Sequence, residues 1–158
     1  SCGKLASINL PATTSIGSNA FQSCGKLASI NLPATTSIGS NAFQSCGKLA
    51  SINLPATTSI GSYAFYTCSK LASINLPAIT SIDSNAFQTC IKLASVKIGE
   101  KNATTCTLTS SNAFYGTPIA SRAGFIYVPD NLVESYKAAT NWSAYANQIK
   151  PLSEAPTT

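Results

Sequence analysis

The chain predicts a solenoid of short parallel strands, and three observations carry that expectation. The stretch Leu5-Ala6-Ser7-Ile8-Asn9-Leu10-Pro11 returns unchanged at Leu27 to Pro33, Leu49 to Pro55 and Leu71 to Pro77, and in altered form at Leu93 to Gly99. The interval is 22 residues throughout, a period at which each repeat forms one coil and buries its inner face only against its neighbours. At 158 residues with 44% hydrophobic and 9% charged content, the chain fits one domain and lies far from a disordered composition.

Within a coil, Leu5, Ile8 and Leu10 alternate with Ser7 and Asn9, so the apolar set faces inward and the polar set outward. Pro11 has no amide proton for a ladder and ends the strand. Ala12 to Ser15 then connects to Ile16, a second inward contact on a short second strand. Gly17 is expected to turn the chain, and Asp83 at the equivalent place is compatible with a left-handed turn residue. Gly3 is replaced by Ser69 and Ile91 in later coils, so its site does not demand positive φ. Ser18-Asn19-Ala20-Phe21-Gln22-Ser23-Cys24 reads as a single helical turn with Ser18 as N-cap and Ala20, Phe21 and Cys24 facing in. Phe21, Phe43, Phe65, Phe87 and Phe114 then stack as an aromatic spine.

Lys4, Lys26, Lys48, Lys70 and Lys92 share one position of each coil and account for most of the net charge of +5. Stacking sets them roughly 5 Å apart, so the row must face water. Without interleaved aromatics and with Arg122 as the one arginine, a solvated rim is favoured over a nucleic-acid stripe. Cys2, Cys24, Cys46, Cys68 and Cys90 form another row, with Cys106 outside it. Equivalent side chains in stacked coils point in parallel, so free, buried thiols are expected, with Cys90–Cys106 the one pairing left open. The chain has no His and no Cys-x-x-Cys, and no metal site or cofactor is expected.

The first two repeats, Ser1 to Gln22 and Ser23 to Gln44, are identical, and the third differs only at Tyr63 and Tyr66. Identity at this level reads as very recent duplication or, more in keeping with divergence that grows towards the C-terminus, engineering of a natural scaffold. The absence of Met and a start inside a repeat read as a trimmed fragment.

The pattern Cys-x-x-Leu-x-x-Ile-x-Leu-Pro, followed by Ser-Ile-Gly and Asn-Ala-Phe, resembles the BspA-type leucine-rich repeats of bacterial and protozoal surface proteins, over residues 1 to about 114. The run Phe125 to Pro129, with Tyr136-Lys137 and Trp142-Ser143, resembles the region that closes such arrays. The segment between Pro11 and Ile16 is one residue shorter than the family's usual one, which implies a tightened second strand or turn. The resemblance implies a leucine-rich repeat solenoid with an extracellular, adhesive, protein-binding role, secreted or at the cell surface, and supplies no catalytic residues.

The expected organisation is an array over 1–114, a capping region over 115–150 and a frayed tail over 151–158. In the cap, Phe125 to Val128 is a last strand ended by Pro129. Asn131-Leu132-Val133-Glu134 has capping-box spacing and opens a helix to about Ala139, and a second short helix follows from Asn141 with Trp142, Tyr145 and Ile149 on its buried side. Nothing comparable covers the first coil, so two copies are expected to meet through it as a homodimer.

A non-catalytic binding scaffold is the leading expectation for function, with the extended face at Ser51, Asn53, Ser73, Asn75 and Lys97 and the aromatic pair Tyr63 and Tyr66 as partner contacts. For the tyrosines, ordinary surface variation is held slightly the better reading. An engineered array whose main property is stacking and self-association is the alternative. Ice or mineral binding by the Thr13, Thr14 and Ser15 rows is weaker, since Ile79 interrupts the first row. An enzyme is disfavoured: a Ser or Cys nucleophile has no His base here, and Asp83, Glu100, Asp130, Glu134 and Glu154 form no pair at useful spacing. No phosphate-binding loop, nucleic-acid partner or membrane span is expected.

Overall fold

A computed structural model describes residues 2–156. Each of the first four coils lays down a strand of three or four residues and then one of two: β1 (Ser7–Asn9) and β2 (Ser15–Ile16), β3 (Ser29–Asn31) and β4 (Ser37–Ile38), β5 (Ser51–Asn53) and β6 (Ser59–Ile60), β7 (Ser73–Leu76) and β8 (Ser81–Ile82). The fifth supplies β9 (Ser95–Ile98) and β10 (Thr107–Leu108). All ladders are parallel, and through β9 like residues pair with like positions: Ser7 with Ser29, Ile30 with Ile52, Ile74 with Val96. Residues one period apart therefore form columns.

The columns sort by polarity as the alternation requires. Leu27, Leu49, Leu71 and Leu93 are fully buried, as are Phe43, Phe65, Phe87 and Phe114, whereas the five rim lysines are exposed. The rings stack face to face at 5.3 to 5.5 Å between centroids, from Phe21 on Phe43 to Phe87 on Phe114. Such rings are worth about 1.5–3 kcal/mol each by area removed from water.

Two local expectations are corrected. The segment around Phe21 is a pair of turns, not a helical turn: Asn19 and Ser23 both take positive φ, as do Asn41 and Ser45, Tyr63 and Thr67, and Asn85 and Thr89. Asn tolerates this region because its short amide bonds locally, and here Asn19, Asn41 and Asn85 donate to Gln22, Gln44 and Gln88 at 2.5–2.6 Å. Only the fifth coil forms a 3-10 turn, Ser111–Phe114, with Ser110 accepting from the Asn112 amide as N-cap. Gly17 is not the left-handed residue either. Its equivalents Gly39 and Gly61 instead permit close approach, since a Cβ on Gly39 would stand 2.6 Å from the Ser18 amide nitrogen of the coil before.

The cysteine row is also corrected at one end. Cys2 and Cys24 form a disulfide across a Cα separation of 5.0 Å, so neighbouring rungs do converge enough to bridge. Cys46, Cys68, Cys90 and Cys106 are free and buried, and Cys90 and Cys106 are not joined. The Cys46, Cys68 and Cys90 thiols donate to the carbonyls of Phe21, Phe43 and Phe65. Burial pushes the Cys46 thiol up to about 11 and the Cys106 thiol up to about 12.

Beyond the coils, β11 (Phe125–Val128) pairs with β9, but it is not the last strand: β12 (Ile149–Pro151) adds to its far side. Ile149 is therefore a strand residue rather than part of the second helix, which is a kinked 3-10 segment, Trp142–Gln148. The first helix, α1 (Val133–Ala138), follows a 3-10 turn at Asp130–Leu132 and has no side-chain cap, so the capping box does not form. Asp130 instead accepts the Ser153 amide, a bond that holds its carboxyl below the usual range. The segment expected to fray is thereby tied down as far as a 3-10 turn at Leu152–Glu154, while Thr157 and Thr158 lie outside the described residues.

Candidate partner-binding face

The outward residues of the longer strands make one face. On it, Asn31 donates to Asn9 at 2.9 Å and Asn53 to Asn31 at 2.7 Å, one rung per coil. Each amide thus has its orientation set by its neighbour, a consequence of identical residues stacked in register.

The row stops at Asn53. The longer strands form two sheets, β1-β3-β5 and β7-β9-β11-β12, with no ladder between β5 and β7. The shorter strands run unbroken from β2 to β10. Ala28 and Ala50 donate to the coil before and Leu10 and Leu32 to the coil after; the equivalent bonds of Ala72 to Ala50 and Leu54 to Asn75 are absent. A cleft of about 330 Å³ opens there, lined by Ser51, Ile52, Ser73, Asn75, Lys97 and Pro156 among others. Ile52 is only half-buried at its wall, whereas Ile30 and Ile74 are buried.

The break coincides with a change in an inward column. Thr35 and Thr57 are fully buried and donate to the carbonyls of Thr13 and Thr35, both at 2.8 Å. Ile79 takes that place in the next coil, buried, larger and without a donor for Thr57. The Thr13 column is therefore an interior row, which removes it as a surface for ordering ice or mineral. The Thr14 column is exposed at Thr36 and Thr80, its hydroxyls already bonded to the preceding coil.

Of the residues expected to meet a partner, Ser51, Ser73, Asn75 and Lys97 line the cleft, and Asn53 sits beside it on β5. Tyr63 and Tyr66 lie on the turn after β6 and do not line it. They pack on each other edge to face at 5.4 Å, at the positions where the first, second and fourth coils pair Asn with Gln. Lys97 donates to the Pro156 carbonyl at 2.9 Å. Sequence reasoning missed the break, Ile52 and the approach of Pro156: the strand residues of coils three and four are identical, so nothing in them marks the interruption.

At the far end, the caps's aromatic residues close the interior. Trp142 donates to the Cys106 carbonyl and Tyr136 accepts from the Cys106 amide, both at 2.7 Å. Tyr136 is fully buried, and burial pushes its hydroxyl up to about 12. Among the described residues there is no cluster of His, Cys, Asp and Glu able to hold a metal ion, and no helix long and apolar enough to cross a membrane.

Solved structures of similar shape come from bacteria. A leucine-rich repeat protein of T. pallidum superimposes with a TM-score of 0.68 at 26% identity, covering 82% of this chain and 61% of that one. A leucine-rich cell surface protein of Faecalibacterium prausnitzii A2-165 gives 0.65 at 27% identity, over 89% of this chain and 35% of that one. A leucine-rich repeat protein of Bacteroides ovatus gives 0.61 at 21% identity over 94% of this chain, a likeness of fold alone, and covers 43% of that one. The chain thus spans less than two thirds of each. No curated protein matches it. The columns of leucine and phenylalanine, the parallel ladders built from a longer and a shorter strand in each coil, and a match to six copies of the BspA type leucine rich repeat region over residues 1–121 have one explanation: the chain belongs to the BspA-type leucine-rich repeat family.

Proposed function

We propose that the chain is a non-catalytic protein-binding scaffold from a secreted or surface-attached protein, and that it binds through the Ser and Asn face of its longer strands. The array over 1–114 supplies the face, and residues 115–150 close its end. The observation that carries this reading is the Asn9, Asn31 and Asn53 row, in which each side chain is oriented by the last. Ordering of that kind before contact lowers the entropy lost on binding. The F. prausnitzii structure, described as a leucine-rich cell surface protein, supports a surface setting. Adhesion is the role we assign, with extracellular protein as the partner class.

The test is binding to purified extracellular matrix proteins by biolayer interferometry. Asn31→Arg and Ser51→Arg should abolish binding that Gln22→Arg, on the turn ridge, leaves intact. Equal loss from all three, or from none, rejects the face.

A second reading, association through the first coil, rests on its apolar residues. Leu5, Ile8, Leu10 and Phe21 are only partly buried, while Leu27, Ile30, Leu32 and Phe43 are buried. Sedimentation equilibrium tests it: a dimer that Ile8→Lys dissociates supports association, and a monomer at all concentrations rejects it.

A further inference from the structure

The turns that lead from each shorter strand to the next longer strand stack into a ridge, and its composition changes along the stack. One column carries Gln22, Gln44 and Gln88 but Tyr66 and Tyr115; another carries Gly3, Gly25, Gly47 and Ser69 but Ile91. These are true rungs, since the Thr67 amide donates to the Gln88 carbonyl at 3.0 Å and the Thr89 amide to the Tyr115 carbonyl at 2.8 Å. Tyr66 and Tyr115 therefore stand two rungs apart, about 10 Å at the spacing of neighbouring strands. Among the described residues four large hydrophobic side chains are exposed, and three of them, Tyr63, Ile91 and Tyr115, lie on this ridge.

Ile91 is 58% exposed and Tyr115 62%. Glycine, serine or glutamine fills the same places in the other coils, so neither side chain is needed to close the interior. Pro118 and Ala120 stand beside them around an open groove of about 460 Å³. Apolar side chains gathered on a surface in this way mark an interface, and tyrosine is favoured there. Tyr63, earlier on the ridge, holds a φ of 57°, a strained conformation for a residue other than Asn or Gly, and strain of that kind clusters at binding sites.

Charge narrows the occupant. Lys92 follows Ile91 directly, Lys70 stands one rung before it, and both are exposed. No acidic residue lines the groove. At a net charge of +5, a second copy of the chain is repelled from this site and a partner carrying carboxylates is drawn to it.

We propose that the groove docks an acidic segment of a protein partner, which seats an apolar side chain between Ile91 and Tyr115 and sets its carboxylates against Lys70 and Lys92. The site lies on the turn ridge, away from the strand face, and holds or fails independently of that face.

The probe is an acetylated, amidated peptide, Asp-Glu-Asp-Leu-Phe-Asp-Glu, titrated into the protein and followed by two-dimensional NMR. One counterpart carries Asn and Gln for the acids, and another carries Ser for Leu and Phe. The Ile91 methyls and the Gly116 and Ala120 amides should shift with the acidic peptide, and both counterparts should bind at least about tenfold more weakly. Ile91→Ser with Tyr115→Gln should weaken the acidic peptide by a similar factor. Each introduced side chain is one that another coil carries at that place, so an unchanged melting temperature shows that the fold persists. Lys92→Gln should weaken binding about threefold, the scale of an exposed ion pair, while Asn31→Arg on the strand face should leave it unchanged. No shift at Ile91, Gly116 and Ala120, equal binding of the three peptides, or indifference to the double variant overturns the proposal. So does a response of these signals to chitohexaose or to phosphatidylglycerol vesicles but not to the peptide, or a dimer that the double variant dissociates.

Discussion

Tyr63 and Tyr66 meet edge to face, with ring centroids 5.4 Å apart, on a turn where the first, second and fourth coils join Asn to Gln by an amide hydrogen bond. Tyr63 pays a backbone cost for this, since it holds a φ of 57° without an Asn side chain to ease it. The aromatic contact offsets part of that cost. Replacing the pair by the coil consensus, Tyr63→Asn with Tyr66→Gln, should stabilise the protein by about 1 kcal/mol in urea unfolding. A loss of stability would mean that the rings contribute more than the turn geometry costs.

The phenylalanine column predicts a gradient. Phe65 is fully buried between two stacked rings, whereas Phe21 is only partly buried. Phe65→Ala should therefore cost about 3–5 kcal/mol through lost transfer energy and a residual cavity, and Phe21→Ala clearly less. Thermal unfolding of the two variants checks the order.

Tyr136 and Cys106 predict a second large effect at the other end of the stack. The Cys106 amide is paired with the Tyr136 hydroxyl. Tyr136→Phe keeps the ring and removes the acceptor, stranding a buried N–H at a cost of about 1–3 kcal/mol. The melting temperature should fall, while Trp142 fluorescence stays that of a buried indole.

Alkaline pH should loosen the fold before neutral or mildly acidic pH does. Burial raises the Cys46 thiol to about 11, the Cys106 thiol and the Tyr136 hydroxyl to about 12, and the Tyr145 hydroxyl as well, while the hydrogen bond with Cys90, together with burial, raises Cys68. With folded values above unfolded ones, the native state binds more protons between the two. The stability these groups carry is intact below about 9, the unfolded thiol value, and is lost as pH rises towards 12. Urea midpoints measured from pH 7 upwards should decline once pH passes 9, and Cys46→Ala with Cys106→Ala should flatten the decline.

Much of this was legible because a column is a sequence property. Once Leu27 and Leu49 stand one period apart with Ser29 and Asn31 out of phase, inside and outside follow, and the stacked phenylalanines follow with them. The turn around Asn19 was misread because Ser-Asn-Ala-Phe suits an N-cap and a left-handed turn equally, and the hydrogen bond that the Asn19 side-chain amide donates to Gln22 decides between them. The Cys2–Cys24 bridge was misread by assuming strictly parallel side chains in neighbouring coils. In the cap, Ile149 is apolar at a spacing that suits helix or strand, and its pairing with Ile126 settles it only in three dimensions. The cleft had no sign in β5 or β7 themselves. Ile79, in the column where Thr35 and Thr57 bond backward, was visible, but as a blemish on a supposed surface row rather than a change in the interior beside the break.

Amide hydrogen exchange along the alanine column that precedes each longer strand tests the central claim, a stack in register with one interruption, most directly. Ala28, Ala50 and Ala94 should exchange slowly and Ala72 fast. Uniform protection across all four would contradict the interruption, and uniform exposure would contradict the register on which the buried columns and the binding face both depend.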